Sequence, residues 1–109
     1  PPPQALLEPP SPDALRAALL ARVEPALAAL HADPTNALLE LCRIYCALVT
    51  GAVVPKAEAA TWAHARFPHD ALRRAQLTYV GGLPERYEGI DLDYVAANLR
   101  ALIAQQDRA

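Results

Sequence analysis

From residue 36 to residue 49 only three side chains are polar, Asn36, Glu40 and Arg43. They fall at i, i+4 and i+7, which puts them on one face of a helix. Leu38, Leu39, Leu41, Ile44, Tyr45, Leu48 and Val49 make the rest of that surface apolar almost all round. Such a pattern predicts a central, buried helix whose one polar stripe faces water, a partner or a site.

The flanking pattern predicts helices throughout. Ser11-Pro12-Asp13 reads as an N-cap, a proline at the first helical position and an acid in the first turn, opening a helix that runs to about Val23. Pro25 is expected to kink or break it, leaving a short second piece over 26–30. Residues 31–36 form a polar turn in which Asp33-Pro34 is a second start signal, and the central helix should close at Thr50-Gly51, where glycine supplies a left-handed residue. Pro55 opens the next helix, with Ala59, Trp62, Ala63 and Phe67 inward and Pro68 as its stop. Residues 70–79 form another, closed by Gly81-Gly82, and a last helix begins near Asp91 with Leu92, Val95, Ala96, Leu99, Leu102 and Ile103 on one stripe. No alternating strand pattern competes, since Val53-Val54 is cut off by Pro55. The expected fold is all-α, an irregular bundle of about five helices, and the spacing matches no solenoid repeat.

A chain of 109 residues supports one core. Ten basic residues against 12 acidic ones, unclustered, argue against a nucleic-acid footprint. Glu40, Arg43 and Gly51 interrupt the longest apolar run, so no membrane span is expected, and the default localisation is cytoplasmic. Cys42 and Cys46 lie four apart on one helix face, a poor geometry for a disulfide, and read as small core residues. No metal is expected there, because His31, His64 and His69 show no ligand spacing. The sequence has no methionine and opens Pro1-Pro2-Pro3. The chain is therefore read as a fragment in which residues 1–10 are the remnant of a stiff polyproline-like linker to a preceding domain and 11–109 form one helical domain.

Two positions carry candidate chemistry on physical grounds alone. Lys56 is a cation in the first turn of a helix, against the macrodipole; a bound anion would compensate it, and a solvated lysine tolerating a small penalty is the alternative. Asp33 can cap its helix through one oxygen and offer the other to a cation, with Asn36 as its neighbour. Glu40 and Arg43, at i and i+3, read as a structural ion pair, with a substrate clamp as the alternative.

Asn36-Ala37-Leu38-Leu39, Arg43-Ile44, Val49-Thr50-Gly51, Lys56, Ala59-Ala60, Trp62-Ala63, Phe67-Pro68 and Tyr79-Val80-Gly81, in that order, resemble the C-terminal helical domain of the aminoglycoside (spectinomycin/streptomycin) adenylyltransferases. The likeness runs from about residue 6 to 81, with one short deletion after Pro68; beyond it lies only a shared helical tail. Arg43-Ile44-Tyr45-Cys46 departs from the family's usual Arg-Ile-Trp-Tyr. The resemblance implies AMP transfer from ATP to a hydroxyl of an aminoglycoside or aminocyclitol antibiotic, with 11–109 as the helical substrate-binding domain, the C-terminal part of a larger two-domain enzyme. It implies Lys56 as a nucleotide-phosphate ligand, Asp33 as an acid contacting the drug, and Asn36 as its neighbour in the drug site. For Tyr79 it leaves site lining and core packing both open. It also implies that ATP and Mg2+ are held mainly by an N-terminal nucleotidyltransferase domain that supplies the catalytic residues, so that none is expected here.

Asp91-Leu92-Asp93 after Gly81-Gly82 superficially mimics the metal-binding signature of nucleotidyltransferases, but these acids open a helix instead of lying on a strand, and Asp91 reads as a cap. Family members that modify streptomycin carry a Trp and a further acid before the Asp33 position. Here 24–32 holds no Trp, Tyr or Phe and only Glu24 as an acid, so spectinomycin-type substrates are expected. The rival reading is a non-catalytic interaction module that docks a partner through Asn36, Glu40 and Arg43.

Overall fold

The computed structural model describes residues 11–107, so the expected linker at 1–10 lies outside the described residues. Within them the helices are α1 (Pro12–Leu20), α2 (Val23–Ala28), α3 (Pro34–Thr50), α4 (Lys56–Arg66), α5 (Asp70–Tyr79) and α6 (Leu92–Asp107). No strand occurs among the described residues. The architecture is the expected all-α bundle, with the short α2 as a sixth piece.

The α3 helix is the axis: α1, α2, α4, α5 and α6 all pack against it. Its apolar pattern explains why, since Leu38, Leu39, Leu41, Cys42 and Ile44 are fully buried or nearly so, and Tyr45 is buried beside them. Around this axis Leu19, Val23, Ala59, Ala63, Leu72, Val95, Leu99 and Ile103 complete one continuous core. Tyr45 meets the half-buried Trp62 edge-on, ring centroids 4.9 Å apart, and ties α3 to α4. Burial, reinforced by the neighbouring Cys46, pushes the Cys42 thiol up to about 12, so it stays neutral as a small core side chain.

Local signals set most of the helix ends. Ser11 accepts a hydrogen bond from the Ala14 backbone N–H at 3.1 Å, and Asp91 Oδ1 accepts one from Tyr94 N at 3.0 Å. Gly51 closes α3 at φ +77°, its N–H donating to Ala47 O at 2.8 Å. Pro25 departs from expectation. The chain breaks earlier, at Ala21-Arg22, and Pro25 is the third residue of α2. A proline there is tolerated because first-turn N–H groups have no partner inside the helix.

Candidate functional site

Three helix ends converge on one side of the core. Asp33 precedes α3 with a non-helical backbone, φ −147° and ψ 68°, and Pro34 opens the helix. The Asp33 carboxylate makes no capping bond to the helix; Oδ2 instead accepts from the Asn36 side-chain amide at 2.9 Å. Turned this way, Asn36 presents Oδ1 to Lys56, whose ammonium donates at 3.4 Å. Lys56 is the first residue of α4, and its nitrogen lies 5.7 Å from the ring centroid of Tyr79 at the end of α5. Asp33, Asn36, Lys56 and Tyr79 thus form one chain of contacts across three helices.

These contacts change the picture at Asp33, Tyr79 and Lys56. Asp33 does not cap the helix through either oxygen, and its Oδ2 is taken by the side-chain amide three residues on. Tyr79 is 51% exposed, so of its two possible roles core packing is excluded. The unfavourable position of Lys56 at a helix start is partly compensated within the chain, by an amide oxygen, a π-face and Glu58 in the same turn.

Beside this chain lies an open groove of about 350 Å³. Ala26, Ala29 and Ala37 form its apolar floor, and Arg22, Asp33, Asn36, Glu40 and Lys56 supply charge and hydrogen-bonding capacity. A second hollow, of about 340 Å³ between α1 and the end of α3, holds little comparable chemistry: its Arg16 guanidinium is spent on Gln106 O at 2.8 Å.

Glu40 and Arg43 are not a pair. Glu40 forms an ion pair with Arg22, which reaches across from the α1–α2 junction. Arg43 turns the other way and donates from Nε to Val54 O at 3.2 Å, taking an otherwise free carbonyl of the α3–α4 loop. Every member of the polar stripe therefore has a partner inside the domain, which leaves less of it for docking another protein. Glu24 is spent on Arg100 of α6 at 2.8 Å.

Sequence reasoning missed Tyr87. Its hydroxyl meets the buried Thr35 hydroxyl at 2.8 Å, tying the segment after α5 to the first turn of α3, next to Asp33 and Asn36. Burial raises the Tyr87 pKa against the partial opposition of the Thr35 hydrogen bond, so the phenol remains protonated. The only local hint was an aromatic residue within a Gly- and Pro-punctuated loop.

Among the described residues no three His, Cys, Asp or Glu side chains converge to hold a metal ion. The described residues do not fit magnesium. No helix among them is long and apolar enough to cross a membrane.

Fold and groove together define an all-α domain that gathers polar side chains from three helix ends around one opening. The model of the family described as aminoglycoside adenylyltransferase, C-terminal domain, matches residues 5–105, and the chain belongs to that family. The match continues well past residue 81 into α6, so the tail is part of the family domain too. Membership implies an aminoglycoside substrate and a preceding N-terminal domain. No curated protein and no solved structure matches the chain.

Proposed function

We propose that this domain binds both substrates of an adenylyl transfer, in which a drug hydroxyl attacks the α-phosphorus of ATP. The new O–P bond forms as the bond to the β-phosphate oxygen breaks; pyrophosphate leaves, and the hydroxyl proton passes to a base in the N-terminal domain. That domain would also hold the magnesium. Lys56 would neutralise phosphate charge, while Asp33 and Asn36 orient the cationic drug and Tyr79 lines the nucleotide side. The observation that carries this reading is the continuous contact from Asp33 through Asn36 to Lys56 along one groove, with the Tyr79 ring beside the lysine. Positioning and electrostatic stabilisation are most of what phosphoryl-type transfer asks of a protein.

The domain alone is expected to show no ATP-dependent drug modification, because it brings no metal-binding acid pair of its own; adenylyl transfer by residues 1–109 would overturn the division of labour.

Drug choice follows from what surrounds Asp33. No aromatic platform precedes it, and Glu24 is engaged with Arg100. The whole enzyme is expected to confer spectinomycin resistance and little or no streptomycin resistance. Asp33→Asn should raise the KM for drug roughly tenfold, the scale of one charge-assisted hydrogen bond, and should leave the KM for ATP nearly unchanged. Susceptibility testing of an expressing host, with steady-state kinetics of the variant, checks both; clear streptomycin resistance would overturn the specificity.

A further inference from the structure

We infer that Glu40 is a second cation-accepting residue of the groove, masked by Arg22, and that Asp33 and Glu40 together select substrates carrying two amino groups. This rests on the proposed function and adds a specificity-determining residue to it. Glu40 lines the same groove as Asp33. Its side chain is only 17% exposed, whereas that of its partner Arg22 is 52% exposed. The two sides of the pair are therefore unequal. Arg22 can swing into water at small cost, but a mostly buried carboxylate cannot be left without a cation. An incoming ammonium that takes the place of the guanidinium satisfies Glu40 and releases Arg22 to solvent.

The spacing suits such an exchange. Asp33, the residue before α3, and Glu40 within it are seven residues apart, about two helical turns or 10.5 Å along the axis, and both line the groove. A six-membered ring bearing two amines, with a charge-assisted hydrogen bond of about 2.8 Å at each end, spans about 10 Å. Asp33 spends Oδ2 on Asn36, and among the described residues its Oδ1 has no hydrogen-bond partner. The floor between the two acids is Ala29 and Ala37, small enough to admit the ring. Lys56 lies with Asn36 and Tyr79, so the same groove has a cationic end for phosphate and an acidic length for a diamine.

Kinetics of the whole enzyme with spectinomycin, a diaminocyclitol, separate this role from a structural ion pair, because the two partners should act in opposite directions. Glu40→Gln is expected to raise the drug KM roughly tenfold, with the ATP KM unmoved. Arg22→Ala is expected to lower the drug KM about threefold, the scale of a half-exposed ion pair, and the double variant to behave as Glu40→Gln. If Arg22→Ala raises the drug KM, or leaves it unchanged, the masking role is overturned. That variant alters an exposed side chain, so it decides the question even if Glu40→Gln folds poorly. An active enzyme in which Glu40→Gln leaves the drug KM unchanged overturns Glu40 alone. A wild-type enzyme that adenylylates no aminocyclitol overturns the proposed function itself.

Discussion

Lys56→Ala in the whole enzyme is expected to lower kcat/KM for ATP roughly 30- to 150-fold, the equivalent of about 2–3 kcal/mol for a lost charge-assisted bond. The ammonium stands at the start of α4, half-buried at the groove edge, held by Asn36 Oδ1 and the Tyr79 ring. Its removal takes a charge from the site without opening the core. Surface substitutions of this kind change stability by about 0.5 kcal/mol or less, a Tm shift of roughly 2–4 °C for a domain this size. The expected signature is a large kinetic loss with a nearly unmoved melting curve. An unchanged kcat/KM for ATP would remove Lys56 from the nucleotide site, and a collapsed Tm would show it to be structural.

Leu38→Ala is the opposite case, large in stability and indirect in chemistry. Leu38 is fully buried on the α3 axis, two residues after Asn36. Leu-to-Ala changes at such sites cost about 3–5 kcal/mol, combining lost transfer energy with the cavity left behind. Against a typical domain stability of about 5–15 kcal/mol, that is about a fifth or more of the total. A fall in Tm of roughly 12–40 °C is expected, with a lower urea midpoint at an unchanged m-value. A loss below about 1 kcal/mol, the ordinary effect of a point substitution, would mean that α3 is not the centre of the core.

What could be read from the sequence was what depends on near neighbours. The ends at Ser11, Gly51 and Asp91 are set by bonds within three or four residues, and the burial of α3 follows from a periodicity visible in one window. Even Lys56 stood out locally, as a cation placed against a helix dipole. The misreadings came from competition over distance. Glu40 looked committed to Arg43 because only helix neighbours are visible in a one-dimensional pattern; its partner arrives from a junction 18 positions away. Pro25 looked like the breaking point because proline is the strongest punctuation, yet the bend at Ala21-Arg22 brings that arginine over the groove. Tyr87 reaches Thr35 across 52 positions, a bond that no local pattern announces.

The way Lys56 is held has a consequence for affinity. A free lysine explores many rotamers, and fixing them can cost about 1.5–2 kcal/mol in lost side-chain entropy. Here the side chain is confined between an amide oxygen on one helix and an aromatic face on another. Much of that freedom is surrendered when the domain folds. A phosphate reaching the groove then meets an ammonium already narrowed to few orientations, so less ordering is charged to the binding step. By the same logic, loosening Tyr79 or Asn36 would weaken nucleotide capture through a wider search by the lysine, with its positive charge fully intact.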